Sequence, residues 1–262
     1  MTVRVAATAI DRTWFSWVGA HGGLVASHLA RAAAEGAPDG LELRSLTAHF
    51  LRPVDDRLLE LVATTVHESG TSAVTQVTAV QDGREAASAT VLLGAAREPG
   101  LAWAPEPGPS VPGPADCPVV ALPHELAPFA QHLEYRTADG SRPLAGGEAP
   151  RLRAWVRFLD DRRPDAADLV TLADALAPGL YGIATTPAPV PSVDLAVHLT
   201  GHAAAGAWVL IEQRTLWSLQ GWAVDEAEVW DERGVRLAQA RQTRRVLPMR
   251  RPAPREAATL LG

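Results

Sequence analysis

A carboxylate placed inside an apolar run is the first feature of this chain that could do chemistry. The stretch from Asp168 to Gly179 reads DLVTLADALAPG and predicts a helix over 168–176, stopped by Pro178 and Gly179. Its interior is apolar except for Thr171 and Asp174, which lie three residues apart and share a helix face. A buried, ionised carboxylate is costly unless it is paired or put to use. Leu172, Ala173, Ala175 and Leu176 offer Asp174 no local partner. The alternative is that Asp174 faces solvent or caps a neighbouring loop. If it is buried and used, its chemistry is that of a general base, orienting or deprotonating a water.

Other chemistries are set aside by what the chain lacks. All 24 basic residues are arginine, so there is no lysine for a Schiff base or a phosphate-binding loop. The eight histidines form no HExxH motif, and no GxSxG elbow is present, which disfavours a metal site and a serine nucleophile. Cys117 is the single cysteine, expected as a free thiol in a reducing compartment. A net charge of −6 gives no basic footprint for nucleic acid. No apolar run reaches the roughly 18 residues of a membrane span, and residues 1–11 carry no secretory pattern. The expectation is a cytoplasmic protein without membrane, nucleic-acid or cofactor partners.

The elements that must position Asp174 follow from proline placement and periodicity. Only Pro38 and Pro53 fall in residues 1–97, whereas eleven of the 21 prolines fall in 98–150. Residues 98–126 therefore read as a proline-rich linker between an N-terminal half (1–97) and a C-terminal half (127–262). The first half predicts a strand over 3–10, a nearly all-apolar helix over 22–35, and strands over 41–52, 58–68, 72–80 and 85–95. The second predicts strands over 129–136 and 151–159, the helix of Asp174, and strands over 192–200, 208–219, 222–230 and 235–247. An all-apolar helix must be covered on most sides. One antiparallel sheet wrapped around each helix, with two such β–α–ββββ units placed edge to edge, satisfies both halves.

The halves also correspond residue by residue. Leu46–Thr47–Ala48–His49–Phe50 lies 149 positions before Leu195–Ala196–Val197–His198–Leu199, and Gly83 lies 151 positions before Gly234. This is an internal duplication. At these offsets Ser192 falls opposite Leu43 and Gln242 opposite Val91, while Asp174 falls opposite Ala26 to within one position. Polar residues in the second half thus face apolar ones in the first, as expected where one of two sites has lapsed.

The motifs resemble the double-hotdog acyl-CoA thioesterases of the thioesterase II (TesB-like) type. The likeness rests on His21–Gly22–Gly23 opening the first helix, on Ala48–His49–Phe50–Leu51–Arg52–Pro53, and on Glu68–Ser69–Gly70–Thr71–Ser72 leading to Gln81–Asp82–Gly83–Arg84. In the second half it rests on Ala173–Asp174–Ala175, Pro191–Ser192–Val193–Asp194, and the terminal strand from Trp230 to Gln242. The resemblance implies an α+β double hotdog: two β–α–ββββ units form one continuous antiparallel sheet around two central helices. It also implies a cofactor-free hydrolase of acyl-CoA with Asp174, Ser192 and Gln242 as catalytic residues, Ser192 standing where many members have threonine. Gln242 and Ser192 each carry a donor and an acceptor and are expected to hold the attacking water. Gly22 and Gly23 are candidates for the oxyanion donors, the alternative being a tight turn that only starts the helix.

Two rival readings follow. One is an acyl-carrier-protein thioesterase or dehydratase-type hotdog enzyme of polyketide or fatty-acid metabolism; the other is a non-catalytic acyl-CoA binder. His49 and His198 read as structural. Trp208, Trp217, Trp222 and Trp230 read as core or subunit contact, and Arg241–Arg251 as a solvated strand end and tail. A homo-oligomer, dimer or tetramer, is expected from exposed sheet edges.

Overall fold

The computed structural model describes residues 3–98, 100–103 and 106–248. In the first half, β1 (Val3–Thr8) precedes α1 (Gly22–Ala34), followed by β2 (Leu41–Phe50), β3 (Leu59–Glu68), β4 (Ser72–Gln81) and β5 (Arg84–Ala95). In the second, β6 (Leu133–Thr137) and β7 (Arg151–Phe158) precede α2 (Ala166–Leu172), followed by β8 (Asp194–Leu199), β9 (Val209–Leu219), β10 (Trp222–Asp231) and β11 (Arg236–Arg245). All eleven strands form one sheet in the order β1-β3-β4-β5-β2-β8-β11-β10-β9-β7-β6. This is the expected double hotdog. The second half carries one strand more than a β–α–ββββ unit, because β6 adds an outer strand to β7.

The two units join where β2 pairs with β8, and Thr47 is the cross-strand partner of Ala196. These two residues are also equivalent at the 149-residue offset, so an approximate twofold axis of the duplication passes through their pair. The register thereby ties the repeat seen in the sequence to the symmetry of the sheet. Tight hairpins join β4 to β5 and β9 to β10: Asp82 and Gly83 (φ 51° and 69°) and Gln220 and Gly221 (φ 53° and 78°) both take the left-handed pair of a two-residue turn.

Both helices lie against the inner face of the sheet. α1 buries Val25, Ala26, Leu29, Ala30, Ala32 and Ala33. α2 is buried from Ala167 to Leu172 and opens with a capping box, Asp165 accepting from the Asp168 N–H while Asp168 accepts from the Asp165 N–H. The helices run antiparallel. Arg31, late in α1, forks onto Asp165 at 2.9 and 3.1 Å at the start of α2, and the start of α1 meets the end of α2. Burial opposes ionisation of Asp165, but the Asp168 N–H and Arg31 outweigh it and hold its carboxyl below the usual range.

The proline-rich segment is packed rather than loose. Residues 108–120 cross the outer face of the C-terminal half, with the Pro112 carbonyl accepting from the Trp155 indole at 2.9 Å, and they then pair along the open side of β6. Trp155 and Trp230 are buried beneath it with Cys117, and Trp208 packs against them. Trp217 and Trp222, by contrast, are exposed beside the β9–β10 hairpin. Burial, aided by Asp116, pushes the Cys117 thiol up. The native protein is therefore expected to react slowly with an aromatic disulfide reagent and to release one equivalent promptly in denaturant. Fast reaction of the folded protein would contradict this packing.

Candidate functional site

Asp174 does not lie inside a helix. α2 ends at Leu172, about one turn before the end the apolar run suggests, because its last carbonyls are taken up by a tightened turn. The Asp174 N–H donates to Thr171 O at 3.2 Å, and the Ala175 N–H to Leu172 O at 3.0 Å. The buried Tyr135 hydroxyl donates to Ala175 O at 3.2 Å and fixes the departing chain. Burial, with Asp174 close by, pushes that phenol up, so it remains a donor. Asp174 is 9% exposed at this turn, directed at the first turn of α1.

Partners absent from its own segment come from elsewhere. Gln242 on β11 donates from Nε2 to Asp174 Oδ1 at 2.8 Å. Ser192, just before β8, donates from Oγ to Gln242 Oε1 at 2.7 Å. The three residues singled out in the sequence thus form one hydrogen-bonded chain. The Gly23 N–H of the other half donates to Asp174 Oδ2 at 2.8 Å, placing the carboxylate at the positive end of α1. Gly23 is needed for that approach: a Cβ there would stand 2.8 Å from Asp174 Cβ and from Thr171 O.

The two glycines differ in their partners. The Gly23 N–H is taken up by the Asp174 carboxylate. Gly22 is half-buried, beside Asp174 Oδ2 and the Phe50 ring, and among the described residues its N–H has no partner. The Ser192 hydroxyl directs its single hydrogen to Gln242 Oε1.

Three further residues belong to this cluster, none of them among the site residues expected from the sequence. His21 caps α1, its Nδ1 accepting from the Leu24 N–H at 3.2 Å. Its Nε2 therefore carries the proton, donated to Asp174 O at 2.9 Å, and the ring packs on Phe129. Arg244, expected in a solvated strand end, is 5% exposed and donates from Nη1 to Ser192 Oγ at 2.9 Å. Asp225 on β10 is fully buried and lies 2.7 Å from Arg244 Nε. Alternation could have found Arg244: Ala238, Ala240 and Gln242 alternate along β11 toward the inner face, and Arg244 is next in phase. At the 151-residue offset it stands opposite buried Leu93. Arg250 and Arg251 of the same arginine-rich stretch lie outside the described residues.

With the geometry in place, the comparisons identify the class. The acyl-CoA thioesterase N-terminal domain family matches residues 10–94, and the acyl-CoA thioesterase C-terminal domain family matches residues 114–246. The chain belongs to the acyl-CoA thioesterase family. No curated protein sequence matched it. Among solved structures it is similar to a hot dog-fold protein of unknown function from Alicyclobacillus acidocaldarius, with 25% identity over 94% of each chain and a TM-score of 0.85. A provisionally named thioesterase from Novosphingobium aromaticivorans shares 26% identity over 93% of this chain and 96% of its own, with a TM-score of 0.81. The acyl-CoA thioesterase II TesB2 from Mycobacterium marinum shares 20% identity over 94% of each chain, with a TM-score of 0.73, and so shows the fold alone.

Replacing Gly23 with alanine tests the packing that brings the halves together. Alanine is ordinarily the better helix former by about 1 kcal/mol, yet here overpacking of about 1–3 kcal/mol should prevail. Chemical denaturation of Gly23→Ala is expected to show a net loss of stability. A net gain would mean that Asp174 is not held against α1.

Proposed function

We propose that this protein hydrolyses acyl-CoA to a free acid and CoA by direct attack of water. The observation that carries the reading is the Ser192–Gln242–Asp174 chain, its glutamine and aspartate buried, at the N-terminus of α1 in a chain of this family. Asp174 Oδ1 is occupied by Gln242 and approached by Arg244 Nη2 at 3.4 Å, whereas Oδ2 has the Gly23 N–H as its hydrogen-bond donor. The free lone pair of Oδ2 is the base. A water held between it and the second Nε2 hydrogen of Gln242 attacks the thioester carbon as its proton passes to Oδ2. The carbonyl oxygen takes the negative charge beside the Gly22 N–H, and collapse breaks the C–S bond. The proton on Asp174 then returns to the departing thiolate, so no covalent enzyme intermediate is needed.

The carrier-protein thioesterase and the acyl-CoA binder are the other readings, and the assay below separates them. A dehydratase is disfavoured at the same site. It would need a histidine free to exchange a proton with substrate, and both ring nitrogens of His21 are engaged by the protein itself. Among the described residues no helix is long and apolar enough to cross a membrane. A cytoplasmic homo-oligomer fits the free thiol and the open outer edge at β1.

Thiol release measured across short, medium and long acyl-CoAs tests the reading. Asp174→Asn keeps the shape of the side chain and removes the base, so kcat should fall by about 10²- to 10⁴-fold. Unchanged turnover in that variant would remove Asp174 from the mechanism. Turnover of acyl-carrier protein but not of acyl-CoA would reassign the substrate, and binding without turnover of either would leave the non-catalytic reading.

A further inference from the structure

Beneath the catalytic chain lies a buried charge cluster that the mechanism above does not use. Asp225, on the inner face of β10, collects the Thr215 hydroxyl at 2.6 Å, the Gln213 amide at 3.1 Å and the Gly179 N–H at 3.3 Å. Gly179 closes the segment that begins at Asp174, so the same carboxylate anchors the far end of the catalytic turn. Arg244 Nε stands 2.7 Å from Asp225 Oδ2 as an ion pair, although its hydrogen is not aimed along that line. The two remaining nitrogens reach forward, Nη1 to Ser192 Oγ at 2.9 Å and Val190 O at 3.4 Å, and Nη2 to Asp174 Oδ1 at 3.4 Å. One cation thus bridges two buried carboxylates and the hydroxyl between them.

We propose that Arg244, held in place by Asp225, is the positioning residue that fixes the direction of the Ser192–Gln242–Asp174 chain. A guanidinium only donates. Ser192 Oγ must therefore accept from it, and the single serine hydrogen is sent onward to Gln242 Oε1. With its oxygen thus satisfied, Gln242 presents Nε2 to Asp174. The constraint matters when Asp174 takes up a proton. An unpinned glutamine amide could then turn its oxygen to a protonated Oδ1, and the water site would lose its donor. Pinned at the Ser192 end, the amide stays as it is, and the proton is confined to Oδ2, on the side of Gly22. This inference deepens the thioesterase reading and rests on it for its catalytic consequence, but not for the hydrogen-bond order itself.

The test uses the full chain, with Arg244→Lys, Arg244→Met and the double variant Arg244→Met/Asp225→Asn. The double variant removes the charge pair together, which avoids leaving Asp225 buried and unpaired should Arg244→Met alone fail to fold. Two quantities are read: the kcat and KM for acyl-CoA, and hydrogen exchange of the Gln242 side-chain amide by nitrogen-15 NMR, its signal identified by its loss in Gln242→Ala. The expected result in the double variant is a kcat lower by about 10- to 100-fold, a KM within about twofold of native, and faster amide exchange. Arg244→Lys, which keeps the charge but not the fork, should fall between this variant and the native protein. Native kcat and native exchange in the double variant would overturn the proposal, as would a loss confined to KM, which would place Arg244 against substrate. If the native protein hydrolyses no thioester while exchange still quickens in the variants, the thioesterase reading fails and the positioning role stands.

Discussion

A buried carboxylate is the constraint on which the rest of this structure depends. Asp174 sits at a turn whose own neighbours are alanine and leucine, so every donor it needs must come from another part of the fold. The Gly23 N–H comes from the opposite half, the Gln242 amide from the last strand, and the Arg244 guanidinium from two residues beyond it. Each of these is in reach only if α1 and α2 lie antiparallel and if β8 and β11 run side by side. The charge at the site and the topology of the sheet are therefore one requirement seen twice. Arg31 closes the other end of the helix pair on Asp165 and Asp168, where exposure makes the contribution small.

Much of this was legible in the sequence because duplication makes a chain its own reference. Leu43 and Val91 show what an idle position looks like, and Ser192 and Gln242 stand out against them. The strands, the hairpin at Asp82–Gly83 and the apolar first helix follow from local pattern, and their observed limits differ by only a few residues. The less legible parts depend on partners distant in sequence. The end of α2 is set by a tightened turn and the Tyr135 hydroxyl, neither of which the apolar run announces. Arg244 was hidden among other arginines, since composition reports a charged tail whereas the alternation of β11 turns this one residue inward.

The two halves are alike in fold and unlike in surroundings. The linker crosses the outer face of the C-terminal half, where Trp155 and Trp230 receive it. The corresponding face of the N-terminal half presents His49, Gln76, Thr78, Ser88 and Thr90 around an open groove. The polar chain lies only in the C-terminal half, with the N-terminal half reduced to a helix end and its N–H groups. Division of labour between repeats is thus visible on both sides of the sheet.

The pairing of Thr47 with Ala196 also bears on how the protein is made. During synthesis the first five strands emerge and can pair with one another long before β8 exists. Over that interval β2 remains an unpaired edge, and α1 has no α2 to cover its flank. An exposed edge of this kind invites pairing with other chains. Contacts so far apart in sequence also close slowly. The join that gives the molecule its symmetry cannot form before β8 is made, and until then the free edge of β2 is where an unfinished chain is most open to misassembly.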